Sequence, residues 1–183
     1  MKINIGGGYK RFDGFLNIDH DELTSPDFVV NLEKDLLPFE DSTVEEVKAH
    51  HILEHIGEGF FHLMQELYRV CKNGALIDIA VPHHRHEHFY GDPTHRRFIT
   101  VEMLKQFSLK WCVWHKATFG SSSGFAPRLK VDFEIIDFEY SVDDTYKELW
   151  EQNKAEELLE LSKRFINVFK DTLIKMIVVK NES

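Results

Sequence analysis

The stretch MKINIGGGYKRFDGFLNID, residues 1–19, decides how the rest of the chain is read. A short apolar run ends at Ile5, three glycines follow at once, and the next apolar run ends on an acid, Asp19. The first run predicts a buried strand and GFLNID a second one, ending at Asp19. Gly6, Gly7 and Gly8 between them either make a tight turn or let backbone approach a ligand that a side chain would exclude.

Working outward, DFVVNLE (27–33) predicts a third strand ending near Asn31, and VEEVKAHH (44–51) a fourth. ALIDIAVP (75–82) predicts a fifth, stopped by Pro82. Between the fourth and fifth, Phe60, Leu63, Met64, Leu67, Val70 and Cys71 recur at helical spacing, with Lys72 expected in the last turn and Gly74 at the C-cap. Strand, helix, strand implies a right-handed parallel crossover. The earlier connections are shorter than the dozen residues a parallel crossover usually needs, so the expectation is abbreviated early crossovers.

Further on, TVEMLKQFS (100–108) predicts a helix capped by Thr100, with Met103, Leu104 and Phe107 inward. In VDFEIIDFEY (131–140) the apolar parity switches, which predicts a bulge at Ile135 and Ile136. Ser141 and Asp144 have capping-box spacing, and a stripe from Tyr146 through Phe169 predicts a long helix over 142–169, interrupted at Asn153. LIKMIVV (173–179) predicts the last strand. GSSSGFAP (120–127) reads as a loop and a candidate lid. The whole is α/β with a mostly parallel sheet.

The totals agree with this. A length of 183 residues suits a single domain over 1–183, and 43% hydrophobic residues with 15 Phe can form a core. A net charge of -9 argues against bulk nucleic-acid binding. Cys71 and Cys112, outside any CxxC, are expected as buried free thiols in a reducing compartment. No apolar run is long enough to cross a bilayer, so the expectation is a cytoplasmic protein without membrane attachment.

Ligands of open α/β sheets sit at the carboxyl ends of the strands. Those ends carry Gly6, Gly7 and Gly8, then Asp19, then Asn31 and Leu32, then His50 and His51, then Pro82, His83 and His84. A carboxylate there can accept hydrogen bonds from both ribose hydroxyls, which suits a nucleoside ligand. NAD or FAD fits poorly, because the third glycine of the dinucleotide fingerprint is missing and Asp19 follows the loop too soon.

INIGGGYKRFDGFLNID, LLPFEDSTVEEVKAHHILEHI and LYRVCKNGALIDIAVP together resemble the class I S-adenosylmethionine-dependent methyltransferases, in their compact branch with a His-x-Leu-Glu-His run. The likeness covers roughly residues 1–82, with a weaker echo in DPTHRRFITVEML. It implies a Rossmann-like, seven-stranded sheet whose last strand is antiparallel between the fifth and sixth. It implies a cofactor-binding half (1–82) and an acceptor-side half (83–183). S-adenosylmethionine is the implied cofactor, leaving S-adenosylhomocysteine. Gly6, Gly7 and Gly8 match the loop beside its methionine portion, Asp19 the ribose acid, Asn31 and Leu32 the adenine neighbours, and His50 and His51 the flank of the methyl-bearing sulfur. Gly7 stands where the branch usually has Cys, with little consequence expected. Glu54 and His55 match a Glu-His pair expected to be architectural. The acceptor, small or polymeric, is not identified.

Methyl transfer mainly needs alignment, with a general base for hydroxyl or ammonium acceptors. His84, His86 and His51 are the candidate bases. No metal ligands are assigned on this reading. The rival reading rests on VPHHRHEHFYGDPTHRR (81–97), where His84, His86 and His88 alternate, with His83, His95, Glu87 and Asp92 nearby; that composition suits a metal-dependent hydrolase. A third reading is a protein that binds S-adenosylmethionine without turnover. Arg85, Arg96 and Arg97 suit an acidic acceptor, and Trp150 and Phe169 on the long helix a homodimer contact.

Overall fold

The computed structural model describes residues 1–120 and 124–180. Seven strands form one sheet in the order β3-β2-β1-β4-β5-β7-β6. They are β1 (Lys2–Ile5), β2 (Leu16–Asp19), β3 (Phe28–Val29), β4 (Val44–His50), β5 (Cys71–Pro82), β6 (Phe133–Val142) and β7 (Phe169–Val178). β1 to β5 pair in parallel, and β7 lies antiparallel between β5 and β6. The fold class and the inserted last strand are as expected.

The helices are α1 (Phe60–Val70), α2 (Glu87–Gly91), α3 (Val101–Lys105), α4 (Leu109–Phe119), α5 (Ala126–Leu129), α6 (Lys147–Glu151) and α7 (Ala155–Ser162). The early crossovers are indeed abbreviated. The chain passes from β1 to β2 through residues 6–15 without a helix, and between β2 and β3 it makes only one 3-10 turn, Glu22–Thr24.

That economy shows in the strand patterns. On one face Ile3, Ile5, Ile18, Val47, Ala49, Ile77 and Ile79 are buried in the main core, against α1 residues Phe60, Leu63, Met64 and Leu67. The alternate residues carry polar groups. Lys2 pairs with Glu46 at 2.7 Å and Lys48 with Asp78 at 2.7 Å. Phe12 and Phe15 of the β1–β2 loop lie over this face, with Lys48 Nζ 4.9 Å from the Phe12 ring and 5.5 Å from the Phe15 ring. Period-two alternation is what a sheet covered by helices on one side requires.

α1 ends earlier than the sequence suggests. Its last turn carries Arg69, Cys71 already begins β5, and Gly74 takes φ +76° at the register shift where Val44 and Glu46 pair with Cys71 and Leu76. The expected bulge in β6 is present between Ile135 and Asp137. Thr100 caps α3 by accepting from the Met103 amide at 3.1 Å.

The long helix over 142–169 is corrected. Ser141 belongs to β6 and Asp143 caps a 3-10 turn instead. α6 and α7 are separated at Asn153, which has φ +57°, and Phe169 opens β7 and is buried. α4, capped by Ser108, was not expected. Positions 121–123 of the candidate lid lie outside the described residues. Cys71 and Cys112 are both buried, and among the described residues neither forms a disulfide. No helix among the described residues is long and apolar enough to cross a membrane.

Candidate functional site

The carboxyl ends of β1 to β4 converge on a cleft of about 160 Å³ lined by Gly6, His20, residues 30–33, Ile52, His55 and Ile56. Each wall has a local cause. Gly6 takes φ +59° and donates its amide to Ile18 O at 2.8 Å; a Cβ there would stand 2.2 Å from Ile52. Glycine is therefore the residue that lets the loop pass beneath Ile52. Asn31 and Leu32 start a turn in which the Asn31 carboxamide accepts from Glu33 N at 3.0 Å and Asp35 accepts from Asn31 N at 2.8 Å.

Asp19 closes the loop from behind. Its Oδ2 accepts from Gly8 N at 2.8 Å and its Oδ1 from Asp21 N at 3.0 Å, and the residue is 7% exposed. His20 Nδ1 stands 3.3 Å from Oδ1, and Oδ2, bonded by the Gly8 amide, retains a lone pair for a hydroxyl donor. Gly8 has φ +51° and nothing within 4 Å of where a Cβ would be, so the loop is open on that side.

Gly7 carries more than its sequence position suggests. A Cβ there would lie 1.9 Å from Asn17 Oδ1 and 2.2 Å from Asn4 Nδ2. Those two buried asparagines bond to each other at 2.6 Å, and Asn4 Nδ2 donates to Lys10 O, Asn17 Nδ2 to Gly8 O. They staple the helix-free loop to both strands. The expectation that glycine in place of Cys at position 7 has little consequence is corrected: any side chain there would have to displace this pair. Neither asparagine was singled out from sequence, although both sit at in-register positions of β1 and β2.

Glu33 was also missed. Its carboxylate accepts from Gly57 N at 3.1 Å and Gly59 N at 3.2 Å just before α1, and these bonds hold its pKa below the usual carboxylate range. An anion is favoured there by the unpaired amides of the helix start.

His50 and His51 part company. His50, last in β4, shares parity with Glu46 and Lys48 and lies on the polar face, against Phe12 at 5.5 Å and 3.3 Å from Asp78. It does not line the cleft, and burial pushes its pKa down. His51 leaves the strand at φ +54° and stands with Nδ1 3.6 Å from Glu54 Oε1, which raises its pKa.

The histidines after β5 do not form the one-faced strand that their alternation suggests, because β5 ends at Pro82 and the chain turns into α2. His83 is buried, accepts from Arg85 N at 3.2 Å, and has its pKa pushed down to about 4 by burial. His86 caps α2, with Nδ1 accepting from His88 N at 3.1 Å and Nε2 3.2 Å from Asp143. Both its ring nitrogens are thus engaged within the fold. His84 alone lines an open groove, about 230 Å³, with Thr100, Tyr140 and Thr172. Its pKa is lowered, chiefly by burial. That groove shares Val101 and Phe138 with a larger apolar pocket of about 550 Å³, walled by Trp111, Trp114 and Ile135. Arg97 is held within the fold, donating to Ile56 O and Gly57 O and lying 4.5 Å from the Phe60 ring centroid.

Solved structures show the same architecture. One is an S-adenosylmethionine-dependent methyltransferase from Archaeoglobus fulgidus, 20% identical, with TM-score 0.63 over 96% of this chain and 85% of that one. The chain has the methyltransferase fold. A second such methyltransferase, from Listeria monocytogenes, is 11% identical with TM-score 0.60, covering 98% of this chain and 91% of that one. The [4+2]-cyclase SpnF, 15% identical with TM-score 0.58, covers 98% and 75%. No protein-family model and no curated protein matches the sequence. At these identities the likeness speaks for the fold, and the cyclase among the neighbours illustrates that one fold hosts different reactions.

Proposed function

We propose that this protein is an S-adenosylmethionine-dependent methyltransferase. The observation that carries the reading is the cleft at the ends of β1 to β4, with Gly6, Asn31 and Leu32 in its wall and the Asp19 carboxylate behind the Gly8 amide. Those groups fit the cofactor. Asp19 keeps a lone pair for a ribose hydroxyl, Asn31 and Leu32 flank the adenine, and the open side of Gly8 admits the methionine portion. When bound, S-adenosylmethionine supplies a methyl group on a positively charged sulfur, an electrophile that needs no further activation.

The chain's own task is then to position an acceptor and take its proton. In this reading residues 1–82 hold the cofactor and residues 83–183 receive the acceptor. The groove at His84 and the aromatic pocket that adjoins it suit an acceptor with an apolar portion. Burial keeps the His84 imidazole neutral near pH 7, so a ring nitrogen is free to accept a proton. His51, more exposed, is the second candidate, and His86 would first have to release its Asp143 contact. Purified protein is incubated with methyl-labelled S-adenosylmethionine and a fractionated cell extract. Label transfer that is lost in Asp19→Ala and slowed in His84→Gln supports the proposal. Cofactor binding with no transfer into any fraction would replace it with the non-catalytic binder.

A further inference from the structure

Glu54 is 1% exposed, yet neither of its carboxylate oxygens has a hydrogen-bond partner. His51 Nδ1, at 3.6 Å from Oε1, is too far for a hydrogen bond but close enough for an ion pair when that imidazole is protonated, and Oε2 is left without a hydrogen-bond partner. A buried carboxylate in that state is expensive unless a cation meets it. One ligand atom each from Glu54, His55 and His95 lies within 4.8 Å of the other two.

The surroundings fix both imidazoles in the form a metal needs. The Thr94 hydroxyl donates to Asp92 Oδ1 at 2.6 Å, so toward His55 Nδ1, 2.9 Å away, it can only accept. His55 therefore carries its proton on Nδ1 and leaves a lone pair on Nε2. His95 Nδ1 lies 2.8 Å from the Phe89 carbonyl, which also can only accept, so in the neutral ring the lone pair again falls on Nε2, 3.9 Å from Asp92 Oδ2. An imidazole whose second nitrogen donates to a carbonyl or oxygen partner is the usual arrangement of a metal-binding histidine. The scaffold is stitched as well. Arg96 N and Arg97 N donate to the Glu54 carbonyl, which ties the loop bearing His95 to the turn bearing Glu54 and His55. The His55 and His95 rings sit 4.6 Å apart, and Phe89 packs on His95 at 5.0 Å.

We propose that Glu54, His55 and His95 bind a first-row divalent metal ion, zinc by preference, beside the cleft that His55 lines. Two imidazoles and one carboxylate suit zinc or its neighbours better than calcium or magnesium, which favour oxygen donors throughout. Zinc bonds of about 2.0–2.1 Å place tetrahedral donors about 3.3 Å apart, so the donors must draw in by about 1.5 Å at most. The site takes His95 from the histidine-rich stretch in which the sequence suggested a metal, but uses none of His84, His86 and His88, and joins it to Glu54 and His55. It goes beyond methyl transfer and stands or falls independently of it.

The test titrates zinc chloride and cobalt(II) chloride into the untagged full chain after chelator treatment, with calorimetry and cobalt absorption as readouts. One ion per chain is expected, with cobalt bands of a nitrogen–oxygen site and no thiolate charge transfer. His95→Ala and Glu54→Gln each weaken binding at least about a hundredfold, and Thr94→Val, which frees only the His55 tautomer, about tenfold. His88→Ala leaves it unchanged. If Glu54→Gln does not fold, His95→Gln and the wild-type cobalt spectrum decide. No uptake by the wild type, a thiolate band, uptake indifferent to position 95, or loss in His88→Ala would each overturn the proposal.

Discussion

Replacing Gly7 by Ala adds one methyl group, and the structure says where it goes. It would stand 1.9 Å from Asn17 Oδ1 and 2.2 Å from Asn4 Nδ2. Gly7 is not among the positive-φ glycines, so the backbone itself would accept alanine. On backbone grounds alone the change would stabilise by about 0.4–1 kcal/mol through the unfolded chain. The contact reverses that sign. To admit the methyl the two asparagines must part, losing their 2.6 Å bond and disturbing their bonds to Lys10 O and Gly8 O. Asn4 and Asn17 are 2% and 1% exposed, so water does not readily replace these partners. One lost bond and one or two unsatisfied buried amide groups amount to about 3–5 kcal/mol. Urea unfolding monitored by circular dichroism measures the difference. Asn17→Ala removes the obstructing oxygen, so the Gly7→Ala cost in that background should fall by at least about 1.5 kcal/mol, within the range of coupled neighbours. A Gly7→Ala cost below about 1 kcal/mol, or full additivity with Asn17→Ala, would refute the staple.

Two further perturbations test other parts of the account. His83 has a folded pKa of about 4 against an ordinary value near 6.5, so as pH falls the unfolded state takes up the proton first. Stability is complete above about pH 6.5 and is lost as pH drops toward 4, by up to about 3 kcal/mol; His83→Gln, whose amide can still accept from Arg85 N, should flatten that part of the pH–stability curve, and an unchanged slope would count against it. Arg69 bonds Glu66, Asp41 and the carbonyls of Leu37 and Phe39, while Glu66 is 6% exposed. Arg69→Met strands the Glu66 charge and should cost about 3–5 kcal/mol in denaturant unfolding, much of it recovered by adding Glu66→Gln; no recovery would mean the burden lies in the carbonyl contacts.

How much of this was readable in the chain depends on whether the signal was local. The bulge at Ile135 and Ile136 shows as a parity switch, and Thr100 as a cap, because both are written within a few neighbouring residues. The short connections between the first strands foretold the abbreviated crossovers, and the alternation in β4 held a lesson about His50. Adjacent strand residues face opposite sides, and Glu46 and Lys48 already marked the polar one. α4 escaped notice because LKWCVWHKATF distributes apolar residues around the whole helix and leaves most of it exposed, so no apolar stripe forms. The stripe from 142 to 169 did exist, but Asn153 breaks it and the tail of the stripe, Phe169, packs in a strand instead.

The site divides in the same way. Gly6, Asn31 and Leu32 follow from their places at strand ends, and they meet in the cleft. The constraint on Gly7 is tertiary, since it depends on an asparagine from each of two strands. The state of Glu54 could not be read either. Its Glu-His pairing is visible in sequence, but the approach of His95 is tertiary, with the Arg96 and Arg97 amides bonding the Glu54 carbonyl and His95 Nδ1 bonding Phe89 O.

The central claim is that the cleft binds S-adenosylmethionine through Asp19. Calorimetric titration of S-adenosylmethionine and S-adenosylhomocysteine into the wild type and Asp19→Asn tests it most directly. The account predicts one site per chain for both compounds, weakened at least about tenfold by Asp19→Asn in a protein that still melts cooperatively. Binding of neither compound to the wild type, or equal binding to the variant, would contradict it.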